Sequence, residues 1–348
     1  MPHPTDGALA AYDRLVARRL ALLAALAAGV LVAVALDMAT GASALSLDDL
    51  LAGIAAPDSL SPRARVILFE LRLPLALMAA VVGAALSLAG AEMQTILNNP
   101  LASPFTLGVS SAASLGAALA LVLGISLPGI PADWIISANA FLFAFGSVLL
   151  LQGLTRIRGA GVETLVLLGI AMVFTFNALV ALLQYVASQE ALQQLVFWSM
   201  GSLGRADWNK LAVLSLVVAV VLPFSLRAAS AMTALRLGED RARSFGIDIG
   251  RLRFASMLRV SLLAATSVAF VGTIGFIGLV GPHVARLLIG EDHRFYLPAS
   301  ALAGALIMSL ASVVAKILVP GTVMPVGIIT SLVGLPVFLA LILAGRGR

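Results

Sequence analysis

Cysteine is absent from the 348-residue sequence, so disulfide bonds, thiolate metal sites and cysteine nucleophiles are excluded. Charged residues make up only 11% of the chain, whereas soluble domains average about 25%. The two lysines, Lys210 and Lys316, do not stand in a Walker A sequence, so the chain is not expected to bind ATP through a P-loop. His3, His283 and His293 do not cluster, and no carboxylate pair marks a catalytic site. We therefore expect no metal, no bound cofactor and no enzymatic activity of the chain alone.

Apolar residues, in contrast, make up 61% of the sequence and form repeated runs of membrane-spanning length. A run of about 20 apolar residues crosses a hydrocarbon layer as a helix, whereas a barrel would show alternating segments of about ten residues. The sequence predicts an all-α, polytopic transmembrane helical bundle in one domain, residues 1–348. The ten predicted spans are 15–36, 74–97, 105–125, 134–154, 164–187, 209–227, 254–273, 274–289, 297–319 and 324–344.

Basic residues orient these spans. With ten spans and both termini in the cytoplasm, 16 of the 22 basic residues lie inside. The six left outside are Arg63, Arg65, Arg72, Arg205, Lys210 and Lys316. Reading 254–289 as one span gives 13 inside against 9 outside, so the positive-inside rule favours ten spans. The N-terminal run resembles a cleavable signal, but its length favours an uncleaved first helix. The net charge of +5 suits loops near anionic lipid and does not indicate nucleic acid.

One carboxylate lies inside a span. Glu92, followed by Met93, is about 8 Å from the inner end of the second span at 1.5 Å per residue. Ionisable residues in lipid are costly and are functional candidates. Two readings remain open: Glu92 lines a pathway together with Met93, or it reaches interfacial water.

A rigid turn follows that span, where Pro100 and Pro104 prevent the helix from continuing. It is either a plain reverse turn or a constriction at the inner mouth of a pathway. On the opposite side, Arg63, Arg65 and Arg72 run against the charge rule and need acidic partners: lipid, carboxylates of the chain itself, or another protein.

The most informative feature is the polar loop 235–253. Glu239 and Asp240 suit the first turn of a short helix, Phe245-Gly246 predicts its end, and Asp248 caps the next helix. A solvated basic loop would explain the composition. Two capped helices with Phe245 and Ile247 exposed between them favour a surface that docks a soluble partner. The residues of this surface are Leu237, Gly238, Glu239, Asp240, Arg241, Arg243, Phe245 and Gly246.

From about Arg63 to its end the chain resembles the FecCD-type permeases of ATP-binding-cassette (ABC) importers for iron chelates, haem and cobalamin. The motifs that carry the resemblance are Arg72-Leu-Pro74, Gly90-Ala-Glu-Met-Gln94, Asn99–Pro104, Leu107–Ser110, Leu237–Gly246, Gly275–His283, Asp292-His-Arg294, Met324–Thr330 and Gly334-Leu-Pro336. The sequence departs from the family pattern at Leu75, where many members have a basic residue, and at Glu92, where a small or apolar residue is usual.

The resemblance implies partners. These are a second permease copy, two ATP-binding subunits that hold ATP and Mg²⁺, a periplasmic substrate-binding protein and the lipid of a bacterial inner membrane. The loop 235–253 would supply the helices that contact the ATPase. Asn99, Pro100 and Leu101, with Val162, Glu163 and Thr164, would form the cytoplasmic gate, and Arg63, Arg72 and Lys316 would contact the binding protein.

The expected function is the permease of an ATP-driven importer of a large iron chelate, with haem as the first choice of substrate. Ferric siderophore and cobalamin are the alternatives within this class. An ion-coupled secondary transporter is the rival from another class, since glycine-rich spans also occur there. Sparse intramembrane charge and the polar loop speak against it, and a membrane-embedded enzyme ranks last because the sequence has no catalytic cluster.

Overall fold

The computed structural model describes residues 4–41, 53, 55–126, 128–157, 162–319 and 321–345. Across these residues the chain is helical and contains no strand. The helices are α1 (Pro4–Ala39), α2 (Leu73–Ile96), α3 (Val109–Leu123), α4 (Ile135–Ile157), α5 (Val162–Val186), α6 (Gln189–Ser199), α7 (Trp208–Arg227), α8 (Ala229–Leu235), α9 (Glu239–Ser244), α10 (Ile249–Val271), α11 (Ile277–Ile289), α12 (His293–Ile317) and α13 (Val326–Gly345). One helical turn, Pro62–Arg65, and a π-helix, Val66–Arg72, lead into α2.

Among the described residues, seven helices are long and apolar enough to cross a membrane, namely α1, α2, α4, α5, α7, α10 and α12. The same part of the chain has three shorter apolar helices, which are α3, α11 and the Val326–Pro336 part of α13. They correspond to the ten predicted spans, and the all-α fold class is confirmed.

The long apolar stretch after Phe254 is divided as predicted. Helix α10 ends at Val271 and α11 begins at Ile277. Gly272 at the break has φ 77°, and a Cβ there would lie 2.2 Å from the Trp198 carbonyl oxygen. Because only glycine fits both the left-handed backbone and this close approach, the helix ends at this position.

Helix α2 is the centre of the bundle and packs against α7, α10, α11 and α12. Glycine makes the closest approaches. A Cβ on Gly90 would lie 1.9 Å from the Gly278 oxygen, and one on Gly83 would lie 2.3 Å from the Gly304 oxygen. Hydrocarbon solvent supplies no hydrophobic drive between helices, so this backbone-to-backbone packing holds α2 in place.

Ion pairs hold the middle and the C-terminal end of the peripheral helix α1. Arg19 contacts Asp292 at 3.1 Å, and Asp37 contacts Lys316 at 3.0 Å, at opposite ends of α12. The neighbour of Asp292, Glu291, pairs with Arg236 of the polar loop at 2.6 Å. The N-terminal part of α1 and the polar loop therefore lie on the same side of the bundle; that this side is cytoplasmic stays a prediction.

Candidate functional site

The polar loop contains the short helix α9, as the acidic first turn predicted. Glu239 accepts hydrogen bonds from Arg243 at 2.9 Å and from Arg253 at 2.5 Å, while the buried Ala242 anchors the inner face of α9. Gly246 has φ 79° and ends the helix. Asp248 accepts from the backbone of Arg251 at 2.9 Å and so caps α10, which confirms the predicted cap.

The outer face of this loop is open. Phe245 is 66% exposed and Leu237 55% exposed, and the Asp240 carboxylate is fully solvent-accessible. Ile247 differs from the prediction, because it is half-buried and packs against the core. The apolar part of the exposed face is therefore Phe245 and Leu237, framed by charged residues on α9.

The turn after α2 is irregular, as the two prolines indicated. Asn98 adopts a left-handed conformation with φ 45°. The side chain of Asn99 accepts a hydrogen bond from the Leu101 backbone at 2.9 Å, which forms an Asx turn. Asn99, Pro100 and Leu101 are all exposed.

The turn of the first predicted gate segment lies beside α5, the helix that begins with the second predicted segment. Leu97, Asn99, Leu101 and Ala102 line a groove of about 410 Å³ whose other wall includes Phe105, Thr106, Val166, Ile170 and Val173. Thr164 lies on the first turns of α5, just before Val166. Val162 and Glu163 begin the same helix, and their side chains lie outside the described residues.

Two arginines connect the polar loop to this turn. Arg236 donates to the Asn98 side chain at 2.9 Å, and Arg253 donates to the carbonyl of Ile96 at 3.1 Å. Cations at a helix C-terminus satisfy its free carbonyl groups and its dipole. The end of α2 is thus held by residues on both flanks of the loop. Sequence reasoning counted both arginines only as cytoplasmic charge, since their partners are distant in the chain.

His293 adds a third connection. Its ring nitrogens lie 2.7 Å from the Thr95 hydroxyl and 3.1 Å from the Thr233 hydroxyl. Thr95 is on α2 and Thr233 is on α8, so the buried imidazole bridges the two helices.

Next to His293, hydrogen bonds from Arg294 hold the pKa of Asp292 below its usual range although partial burial acts in the opposite direction. Asp292 is therefore a carboxylate at neutral pH and pairs with Arg19.

The predicted docking residues separate into two kinds. Arg63 is exposed, and its contact with a binding protein stays a prediction. Arg72 and Lys316 are buried, and the prediction for both is corrected. Arg72 donates to the Met38 carbonyl at 2.8 Å, and Lys316 is paired with Asp37. Their charge is used inside the chain because a buried cation without a carboxylate or carbonyl partner is costly.

Glu92 and Met93 are corrected as well. Both are fully buried within this one chain, so neither lines a pathway nor reaches interfacial water. The Glu92 carboxylate lies 2.7 Å from a guanidinium nitrogen of Arg259. In the described part of the chain no three His, Asp or Glu side chains form a group that could hold a metal ion.

Comparisons with known proteins give a family for this chain and several similar proteins. The model of the FecCD transport family matches residues 29–344. The hemin transport system permease HmuU of Yersinia pestis is 39% identical over 277 residues, covering 80% of this chain and 83% of that protein. The vitamin B12 import permease BtuC of Vibrio vulnificus is 36% identical over 282 residues, covering 81% and 84%. A solved structure described as a metal-chelate type ABC transporter in an inward-facing conformation superposes with a TM-score of 0.82 at 31% identity, covering 92% of this chain and 98% of that one.

Proposed function

The chain belongs to the FecCD transport family, and from that premise we propose that it carries haem inward as one half of a homodimeric permease. It is an integral membrane subunit of an ABC importer of the metal-chelate, haem or cobalamin type, and ATP is hydrolysed by a separate chain. The family implies ATPase partners and a substrate-binding protein. This membership replaces the ion-coupled carrier considered from the sequence. The relatives from Yersinia pestis and Vibrio vulnificus support a bacterial inner membrane as its location, which separation of inner and outer membranes tests.

The polar loop is the proposed ATPase contact. Its exposed Phe245 and Leu237, with the charges of α9 around them, form an apolar centre with a polar rim, the anatomy of a protein interface. Movement of the loop would reach the end of α2 through Arg236 and Arg253, which hold it directly. The Asn99–Leu101 turn and the start of α5 would then open or close the inner mouth.

A cavity with an uncharged wall supports passage of a large chelate. It measures about 560 Å³ and lies between the break after α10 and the start of α13. The residues that line it are Phe105, Ser110, Ser199, Met200, Thr273, Gly275, Gly327, Ile328, Ser331 and Leu332. The buried Ser110 hydroxyl has no hydrogen-bond partner among the described residues. Such a wall offers weak contacts and neither coordinates iron nor holds a charged group firmly, so cargo can enter and leave.

Haem is preferred because the hemin permease is among the relatives that match most of the chain. The test is uptake into liposomes that contain this chain and its ATPase, with a binding protein loaded with haem, ferric siderophore or cobalamin. We expect haem-loaded protein to stimulate ATP hydrolysis and haem to accumulate inside. Accumulation of cobalamin or siderophore in place of haem would refute the substrate but keep the importer, whereas an ATPase that never associates would refute the importer.

The exposed face of α5 supports the homodimer. Thr175 and Asn177 are exposed near the centre of the span Thr164–Val186, among Leu167 and Phe174. Polar side chains facing hydrocarbon are costly, and in spans they normally face the bundle interior or a water-filled cavity. This face is therefore better covered by a second copy of the chain beside the passage than by lipid.

Cross-linking tests the dimer cleanly because the chain has no cysteine of its own. We expect Ala178→Cys or Phe174→Cys on α5 to give a disulfide-linked dimer on mild oxidation in membranes. Leu216→Cys is the control, since Leu216 is equally apolar and 64% exposed on α7. Equal cross-linking at both helices, or none at any α5 position, would contradict the proposed interface.

A further inference from the structure

A buried ion pair joins three helices in the half of the bundle that lies towards the polar loop. The Glu92 side chain is fully buried, and both of its oxygens lie 3.0 Å from Nε of Arg259, whose side chain is 12% exposed. The hydroxyl of Ser225 donates to Glu92, and that of Ser256 accepts from Arg259 at 2.8 Å. Carboxylate and guanidinium are thus nearly saturated with partners from α2, α7 and α10.

The position of the pair is as informative as its contacts. Glu92 is one turn from the end of α2, which leads into the Asn99–Leu101 turn. Ser225 is in the last turn of α7, which is followed by α8 and then by the polar loop, and Arg259 is on α10, the helix that leaves the loop. The pair therefore ties α2, which leads into the predicted gate turn, to helices on both sides of the polar loop.

Holding the helices together does not by itself explain why an ion pair is found at this position. A carboxylate within a span is costly, and replacing a buried ion pair by apolar side chains of similar volume is often neutral or stabilising. Helix α2 already has close glycine contacts with α11 and α12 that hold it in the bundle. What an ion pair adds is a directional contact that is satisfied in one register and broken in others.

We propose that Glu92 and Arg259 are positioning residues that make α2, α7 and α10 move as one unit, so that displacement of the polar loop reaches the inner gate. This inference rests on the proposed importer function. With apolar side chains in their place, α2 would no longer move together with the loop. ATP would then be hydrolysed without a matching amount of transport.

The test compares transport and ATP hydrolysis in the assembled importer. The variant E92M/R259M replaces the pair with unbranched apolar side chains. We expect it to bind the ATPase, to keep its thermal midpoint and to lose about tenfold in substrate transported per ATP. R259K keeps the charge and should recover part of this ratio, which a purely structural role would not require.

A second variant keeps the proposal testable if E92M/R259M does not fold. S225A keeps the ion pair and removes only the contact with α7, so the chain should assemble normally and show a smaller loss of the same ratio. Wild-type transport per ATP in E92M/R259M overturns the proposal. If E92M/R259M does not assemble, a wild-type ratio in S225A overturns it instead. If the wild-type chain shows no ATP-driven transport with any ATPase, the proposed importer function is refuted, and the role of the ion pair is refuted with it.

Discussion

Phe245→Ala is expected to weaken binding of the ATPase at least about thirtyfold and to abolish ATP-driven uptake, because truncating a central aromatic anchor of an interface costs about 2 kcal/mol or more. Phe245 is 66% exposed and lies at the tip of the polar loop, so its removal should leave the fold intact. Binding is measured with purified permease in detergent micelles, and uptake in liposomes. Normal affinity in the variant would refute the loop as the ATPase contact.

Two glycines test whether ATPase binding depends on the backbone shape of the loop, because only one of them has a left-handed conformation. Gly246 has φ 79°, where alanine costs about 1–2 kcal/mol. Gly250, four residues on, is helical, and a Cβ there meets Asp248 at an ordinary 3.4 Å. Gly246→Ala should therefore lower ATPase affinity, while Gly250→Ala should not. Equal effects would mean that the turn after α9 does not shape the contact.

Lys316→Met is expected to destabilise the chain by about 3–5 kcal/mol, since it leaves the carboxylate of Asp37 buried without its ammonium partner. Arg72 also interacts with Asp37 and should keep the loss near the lower end of this range. The measurement is the thermal midpoint in detergent micelles. D37N/K316M should regain most of the stability, because it removes both charges together.

The same variants decide the role of the outer cations. If Lys316 served to dock the binding protein, D37N/K316M would fold but fail to respond to that protein. We expect it to respond normally. Arg63→Glu is the counterpart, because Arg63 is exposed and should lose binding-protein affinity without any change in thermal midpoint. A response lost in D37N/K316M and kept in Arg63→Glu would restore the original docking prediction for Lys316.

Local signals in the sequence were read correctly where a short stretch decides the structure. The Asp248 cap and the helix end at Gly246 each depend on the local preference of one or two residues. Helix bounds were less accurate. Helix α1 begins at Pro4 although the predicted span began at residue 15, because a helix continues beyond the apolar part that crosses the membrane.

Charged residues were read less well, for a different reason. Lys316 and Arg72 were assigned to the outer surface because the pattern shows a charge without its partner. Lys316 contacts Asp37 across 279 positions of sequence, and Arg259 contacts Glu92 across 167. Neither partner is recognisable until the helices are packed.

The sequence by itself determined that this chain is a helical membrane protein with a polar loop, since composition and run length act locally. Its motifs also identified the family. Only the tertiary structure decided which charges are free to meet a partner and which are consumed inside the bundle. The energy of an ion in a low-dielectric interior depends on its distance from an opposite charge, and that distance is set by how α1, α2, α10 and α12 pack together.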